Sequence, residues 1–488
     1  MSIPRLYRHS LSLLTDLYQV TMAYSYWKAG IADREAVFCA SFREQPFRGG
    51  YTVAAGLASV VEWVESLGFD ADDLRYLSSL EGNDSKPLFE AGFLEYLGEL
   101  RLSCDLDAVP EGTVVFPKQP LVRVTGPILQ CQLLETAILT LVNFQSLIAT
   151  KAARVVRAAG NDPVIEFGLR RAQGIDGGVT ASRAAYIGGC AATSNLLAGK
   201  LFGIPVRGTL AHSWVMCFDT EPEAFEAYAR AMPNNCVFLV DTYDTLEGVR
   251  HAIDAGRHLR ESGHRMGGIR LDSGDLAYLS VAARRMLDAA GFEDAAIVAS
   301  NNLDEHLIST LKQQGAAIGV WGVGTQLATA FDEPALGGVY KLTAVRDRSD
   351  QQWEYKLKLS EQMNKASIPG LLQVRRYRVG SEFLADVIYD EQMGIGREDV
   401  AIDPVDAIRR KRIPSDAEWS DLLVPVFRKG GRVRETPSLD ASREHAASQL
   451  ASFHPAIKRL VNPHEYPAGL AGNLFALRER VMLGLRKH

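Results

Sequence analysis

The sequence predicts an α/β protein in which a parallel barrel interrupts a discontinuous α+β domain. Three observations carry this expectation. Through the middle of the chain, short β-branched runs alternate with segments of helical spacing. Each of those runs ends in polar residues or glycine. The flanking regions change character, to helices and shorter strands broken by Pro and Gly turns.

The central runs are DPVIEFGL (162–169), VRGTLAHSWVM (206–216), CVFLVDTYD (236–244), GGIRLDSGD (267–275), AAIVASNN (295–302) and AIGVWGVGTQL (317–327). Between them lie SRAAYIGGCAATSNLLAGKLFG, EPEAFEAYARAM, TLEGVRHAIDAGRHLRESG, LAYLSVAARRMLDAAGF and LDEHLISTLKQQ, all with helical apolar spacing. From the third run on, starts at 236, 267, 295 and 317 leave intervals of 31, 28 and 22 residues. Strand, helix, strand at that spacing makes crossover units and a parallel sheet. Both a doubly wound open sheet and a closed barrel fit. An open sheet collects its chemistry at one switch point, whereas a barrel collects it from the C-terminal ends of nearly all strands. Here nearly all runs contribute polar ends, which favours the barrel.

Before the barrel, LLTDLYQVTMAYSYWKAG and TVAAGLASVVEWVESLG read as helices and AVFCASFREQPF as a strand, while LSCDLDAVPEGTVVFPKQPLVRVTG reads as antiparallel strands. After it, EYKLKLS, LLQVRRYRV and FLADVIYD read as strands expected to return to the N-terminal sheet. The expected organisation is an N-terminal α+β domain over 1–140, completed by about 350–436, a catalytic barrel over 141–349, and a helical segment over 437–488.

With 488 residues, 47% hydrophobic and 23% charged, the chain suits two or three globular units. A formal net charge of −6 argues against a nucleic-acid partner. The N-terminal MSIPRLYRHSLSLLTDLYQV lacks the apolar run of a secretory signal, and no stretch is long and apolar enough for a bilayer, so no membrane partner is expected. Six scattered cysteines without a C-x-x-C pair suit a reducing cytoplasm.

Gathered at one mouth, the strand ends would form an anion site. Arg170, Arg171 and Arg270 offer forked donors for carboxylate and phosphate. Gly322, Gly324 and Thr325 leave backbone N–H groups uncovered, and Asp272 and Asp275 suit sugar hydroxyls or a hydrated Mg²⁺. His212, flanked by small hydrogen-bonding residues, can serve as base or nucleophile. Each feature also has a plain structural reading. Such arginines commonly pair with helix acids, and Asp275 can cap the following helix. Glycines close tight turns, and Thr15 or Asp16 can cap the first helix. A G-x-S-x-G elbow, a Walker A loop and an H-E-x-x-H helix are all missing from the sequence.

The segments LLTDLYQVTMAYSYWKAG, EFGLRRAQGIDGG, GTLAHSWV, LVDTYDT, IRLDSGDL, SNNLDE, GVGTQL and LGGVYKL, in that order from about residue 11 to 345, resemble the nicotinate phosphoribosyltransferase family. KLSEQMNKASIPG (358–370) is similar to the family's segment after the barrel. The resemblance implies a type II phosphoribosyltransferase fold, an irregular parallel α/β barrel with an open-faced sandwich domain, in a homodimer with shared active sites. It implies that nicotinate and PRPP form nicotinate mononucleotide and pyrophosphate, with coupled ATP hydrolysis and Mg²⁺, as the first step of NAD salvage from nicotinate.

Residue by residue, it makes His212 a phosphohistidine formed from ATP. Tyr18 would stack on the pyridine ring from the partner subunit, with Asp16 nearby. Phe167 occupies the position of a second stacking aromatic. Thr209 and Arg270 would contact nicotinate, and Arg170 and Thr325 the phosphoribosyl part. Asp272, Gly322 and Gly324 join them there, with Lys341 as a further phosphate ligand; the Mg²⁺ ligands stay unassigned. Ser213 follows His212 where the amide-using relative has aspartate. An aspartate would repel a carboxylate that a serine hydroxyl can donate to, which favours nicotinate over nicotinamide. Two rivals remain: a sugar-phosphate lyase, for which the barrel runs carry no Schiff-base lysine, and a non-catalytic phosphoribosyl sensor.

Overall fold

The computed structural model describes residues 9–347, 351–359, 366–396 and 400–485. Residues 360–365 of the KLSEQMNKASIPG segment lie outside the described residues. The chain divides into two compact units, Ile148–Pro334 and the combination of Met1–Leu147 with Ala335–His488.

Unit Ile148–Pro334 is built on a six-stranded sheet. Its order is Ala192–Thr193, Val164–Glu166, Val320–Val323, Ala296–Ala299, Gly268–Leu271, Val237–Leu239. Every pairing in it is parallel. An isolated parallel bridge from Thr193 to Val206 extends the arc beyond one edge. The ring is irregular, because among the described residues no ladder joins that bridge to Val237–Leu239. The strands are short and covered on both faces, as parallel strands require: Phe238, Ile269, Trp321 and Val323 are fully buried.

The crossover helices start where polar caps allow it. Asn195, Thr220, Asp244, Asp275 and Asp304 each accept from a backbone N–H of the first turn that follows. For Asp275 this settles the choice left by the sequence: its carboxylate accepts from the Tyr278 N–H at the start of Leu276–Ala289. Beneath the sheet, Glu305 is buried against two cations, Lys151 (2.7 Å) and Arg154 (2.7 Å).

The other unit holds two larger sheets. The first is antiparallel, ordered Glu354–Tyr355, Gly338–Arg346, Glu35–Phe42, Val122–Pro127, Asp105–Ala108, Val424–Arg428, Gly431–Arg432. Gly338–Arg346, which falls inside the span 141–349 expected for the barrel, pairs antiparallel with Glu35–Phe42 from Glu35↔Arg346 to Phe42↔Gly338, with one register shift between Val37 and Phe38. The second sheet contains Leu372–Val379 and Glu382–Asp390 together with Ala468–Leu470. Those two strands were expected to rejoin the N-terminal sheet and do not; Glu354–Tyr355, Val424–Arg428 and Gly431–Arg432 do so. The tail 437–488, expected to be helical, contributes a strand as well as the helices Leu439–Ala451 and Gly472–Leu485.

Within this unit, Leu17–Lys28 packs Val20 and Ala23 into a core with Phe69, Phe93 and Leu97. Gln19 is held at both ends of its residue: its amide donates to Glu135 (2.9 Å) and its carbonyl accepts from Gln132 (2.7 Å). Its neighbour Tyr18 is left 47% exposed.

Candidate active site

The polar ends of the parallel strands converge on one cavity of about 450 Å³ in unit Ile148–Pro334. Phe167, Arg170, Thr209, Arg270, Asp272, Gly322, Gly324 and Thr325 all line it. Arg171, Ser194, Gly208, Ser300, Asn301 and Asn302 complete much of the wall. This is where a parallel sheet presents chemistry, beyond the carboxyl ends of its strands.

Arg270 organises the floor. It is the third residue of Gly268–Leu271, and its guanidinium donates to Ser300 Oγ (2.8 Å), Thr209 Oγ1 (3.0 Å) and Asp272 Oδ1 (2.8 Å). Ser300 Oγ donates in turn to Asp272. Burial pushes the Asp272 carboxyl up, but the Ser300 hydrogen bond and the Arg270 charge outweigh it and hold the group below its ordinary range. Asp272 is therefore an anion at neutral pH, fixed through one oxygen. Its backbone N–H donates to Asp241 Oδ2 (2.9 Å), as does Ser273 Oγ (2.6 Å). The other oxygen of Asp241 is buried with no hydrogen-bond partner among the described residues.

An apolar wall stands opposite. Phe167 follows the strand Val164–Glu166, and the Arg270 guanidinium carbon lies 5.6 Å from its ring centroid. The ring rests on Gly322: a Cβ there would come within 2.6 Å of two of its carbons. Glycine at 322 is what admits the aromatic. The turn behind Phe167 is tied down by Glu166, which is buried and accepts from Ser182 Oγ (2.8 Å), Thr193 Oγ1 (2.7 Å) and the Gly168 N–H.

Arg170 and Arg171, on the short turn Leu169–Arg171, are exposed and have no ion-pair partner among the described residues. With Arg270 paired to Asp272, the cavity keeps two uncommitted positive charges. Opposite them the chain passes through Asn301 (φ 96°) and Asn302 (φ 43°), two consecutive left-handed residues that are not glycine.

His212 opens the short helix His212–Val215. Its Nδ1 lies 3.1 Å from Thr242 Oγ1 and its Nε2 lies 3.8 Å from Asp272 Oδ2. The imidazole is partly exposed and reaches the cavity through Asp272. Ser213, next to it, is exposed and is not among the residues lining the cavity.

The remaining expected residues lie in the other unit. Asp16 occupies the N-cap position of Leu17–Lys28 without capping it; its carboxylate accepts from Thr136 Oγ1 (3.3 Å). Lys341, on Gly338–Arg346, lines a small cleft with Arg43, Lys118 and Ser367. Burial lowers its ammonium pKa, and it donates to its neighbour's carbonyl, Tyr340 O (3.0 Å).

Thr242 and Ser194 were not singled out from the sequence. Thr242 carried a signal, since it follows Asp241 inside LVDTYDT; Ser194 had none. Among the described residues no cluster of three His, Cys, Asp or Glu side chains could hold a metal ion, and no helix is long and apolar enough to cross a membrane.

Comparison with known proteins agrees with this architecture. Profiles described as the nicotinate phosphoribosyltransferase N-terminal domain, the family itself and its C-terminal domain match residues 13–143, 164–360 and 373–478. A nicotinate phosphoribosyltransferase of Bacillus subtilis is 43% identical over 471 residues, covering 95% of this chain and 93% of that protein. The human nicotinate phosphoribosyltransferase is 36% identical, with 97% of each chain covered. The crystal structure of human nicotinic acid phosphoribosyltransferase superposes with a TM-score of 0.82 at 33% identity, over 96% of this chain and 99% of that one. A nicotinate-nucleotide pyrophosphorylase from Pyrococcus furiosus shares the fold, with a TM-score of 0.69 at 20% identity over 93% of this chain and 97% of that one. The fold is that of the type II phosphoribosyltransferases, and the chain belongs to the nicotinate phosphoribosyltransferase family.

Proposed function

We propose that this chain joins nicotinate to PRPP, releasing nicotinate mononucleotide and pyrophosphate, with coupled ATP hydrolysis, as the first step of NAD salvage from nicotinate in the cytoplasm. The observation that carries the reading is the cavity floor: an arginine and a threonine hydroxyl set beside an aromatic face, with two unpaired arginines at the rim. That is a place for a flat aromatic carboxylate next to a phosphorylated sugar. Arg270 and Thr209 bind the carboxylate and Phe167 covers the ring. Arg170, with Gly322, Gly324 and Thr325, receives the phosphoribosyl group, and Asp272 faces its hydroxyls. Tyr18 and Asp16 of a second copy complete the site in a homodimer; the exposure of Tyr18 leaves it available for that. Lys341 serves phosphate from its cationic cleft. Ser213 has the smallest part, at the edge of the site.

The pyridine nitrogen brings its own lone pair to the ribose C1. The bond from C1 to the pyrophosphate oxygen breaks and its electrons leave with pyrophosphate. No proton moves in that exchange, so the reaction needs no general base. His212 is then free for a second task, taking the γ-phosphoryl group of ATP on a ring nitrogen. The donor set fits a phosphate-borne Mg²⁺, which asks for one or two carboxylates and not a full protein cage; Asp272 and the unpartnered oxygen of Asp241 supply them. When bound, the ion supplies charge screening on the leaving pyrophosphate.

Purified protein incubated with nicotinate, PRPP and Mg²⁺, with and without ATP, should form nicotinate mononucleotide, faster with ATP. Nicotinamide in place of nicotinate should be a poor substrate. Absence of product from nicotinate under both conditions would overturn the assignment.

A further inference from the structure

We propose that Thr242 is a positioning residue: its hydroxyl accepts the Nδ1 proton of His212 and so leaves Nε2 as the nitrogen that takes phosphate. The inference rests on the phosphohistidine reading above and deepens it. The two ring nitrogens of His212 have unequal surroundings. Among the described residues, Nδ1 is at hydrogen-bond distance from one protein atom, Thr242 Oγ1, at 3.1 Å. Nε2 has, among them, Asp272 Oδ2 at 3.8 Å, beyond hydrogen-bond reach. A neutral imidazole carries one proton, and the nitrogen that holds it is set by the better partner of the two. The Thr242 hydroxyl could also donate to a bare Nδ1; we take it as the acceptor, which keeps the proton on Nδ1 and leaves the Nε2 lone pair free.

The neighbours support the same assignment. Asp272 is the one group that could draw a proton onto Nε2, and its charge is already countered by Arg270, with its other oxygen held by Ser300 and Arg270. Thr242 itself is fixed in place, following the strand Val237–Leu239 just before the capped helix Thr245–Glu261. A hydroxyl also suits the step better than a second carboxylate would. It holds the proton without adding a negative charge beside an incoming polyphosphate.

In the step itself, the Nε2 lone pair forms the new bond to the γ-phosphorus of ATP. The bond from that phosphorus to the β–γ bridging oxygen breaks, and its electrons leave on ADP. The ring proton stays on Nδ1, hydrogen-bonded to Thr242.

The test compares Thr242→Val, Thr242→Ser and His212→Ala. With γ-labelled ATP, the unmodified protein should acquire an acid-labile, base-stable label that His212→Ala removes. Thr242→Val, which keeps the shape and loses the hydroxyl, should slow labelling by roughly 10- to 100-fold, by analogy with the loss of the hydrogen-bond partner of a metal-ligating histidine; Thr242→Ser should restore most of it. A readout independent of phosphorylation is the ¹⁵N spectrum of histidine-labelled protein. The His212 signal, identified by its loss in His212→Ala, should report Nδ1–H in the unmodified protein and should lose that preference in Thr242→Val. Labelling of Thr242→Val at the normal rate, or an Nε2–H ring in the unmodified protein, overturns the role of Thr242 alone. Failure of the unmodified protein to label overturns the phosphohistidine reading and this inference with it.

Discussion

Two arginine–aspartate pairs in this chain use the same groups to opposite ends. In the second sheet of the larger unit, Arg376 donates to both oxygens of Asp386, which also accept from Tyr466 (3.0 Å) and Gln119 (2.6 Å). Two further N–H groups go to Val114 O (2.7 Å) and Gln449 (2.7 Å), and the pair is 1% and 0% exposed. In the parallel sheet, Arg270 and Asp272 are 14% and 28% exposed, and Asp272 keeps an oxygen without a hydrogen bond among the described residues. A closed pair, buried and with both carboxylate oxygens engaged, stabilises or specifies a fold and leaves no room for a ligand. An open pair, already desolvated on one side and held in place by Thr209 and Ser300, has capacity left for a ligand. What separates structure from site here is spare hydrogen-bonding capacity facing a cavity.

The comparison can be broken most sharply at its closed end. Arg376→Ala leaves Asp386 buried without its cation and should lower unfolding stability by about 3–5 kcal/mol, read as a fall in the urea midpoint. A change near zero would mean the pair is dispensable to the fold. At the open end, Arg270→Ala should leave the urea midpoint nearly unchanged and cut kcat/KM for nicotinate by an amount equivalent to about 2–5 kcal/mol. An equal loss of stability in both variants would erase the distinction.

Gly322→Ala sharpens the open end further. The added methyl would meet the Phe167 ring, so the aromatic must move, with an overpacking cost of about 1–3 kcal/mol. KM for nicotinate should rise more than kcat falls, since the ring positions substrate; an unchanged KM would remove Phe167 from nicotinate binding.

Acid titration probes a third, closed cluster, Glu305 with Lys151 and Arg154. Burial raises the Glu305 carboxyl pKa, but the two cations outweigh it and hold the group below its ordinary 4.5. A carboxyl lowered in this way stabilises the fold above its ordinary value and ceases to do so as pH falls through the lowered one. The urea midpoint should therefore drop below about pH 4.5, and Glu305→Gln should blunt that drop; an equal drop in both proteins would place the acid sensitivity elsewhere. The smallest effect is expected from Ser213→Asp. At an exposed position the new charge is screened, so KM for nicotinate should change by less than about 1 kcal/mol in free-energy terms. A hundredfold rise would put Ser213 on the ring substituent.

The parallel sheet and its mouth were legible because strand–helix alternation and polar strand ends are local signals. Arg170, Arg270, Asp272, Gly322, Gly324 and Thr325 could be gathered from sequence on that ground alone, whereas Phe167 and Thr209 were singled out only by the family resemblance. Sheet membership was not legible. Leu372–Val379 and Glu382–Asp390 are recognisable as strands, but strand period says nothing of which partner supplies the hydrogen bonds, and both joined a sheet other than the one expected. Function at one position and structure three residues on were also inseparable: Asp272 and Asp275 stand in the same LDSGD run, and only backbone geometry made the second a helix cap. Ser213 shows the converse limit: neither it nor His212 is among the residues lining the cavity, and only His212 approaches that lining, through Asp272.

The paired left-handed asparagines carry an implication for engineering. Asn301 and Asn302 hold a loop at the cavity rim in a conformation that glycine adopts freely and other residues do not. Replacing Asn301 with glycine is therefore compatible with the native backbone, but it multiplies the conformations open to the rim when no ligand is there. Attempts to raise heat tolerance by rigidifying surface loops should leave this one alone. A proline or β-branched residue here would force the rim into another shape, and thermostability would then come at the expense of turnover.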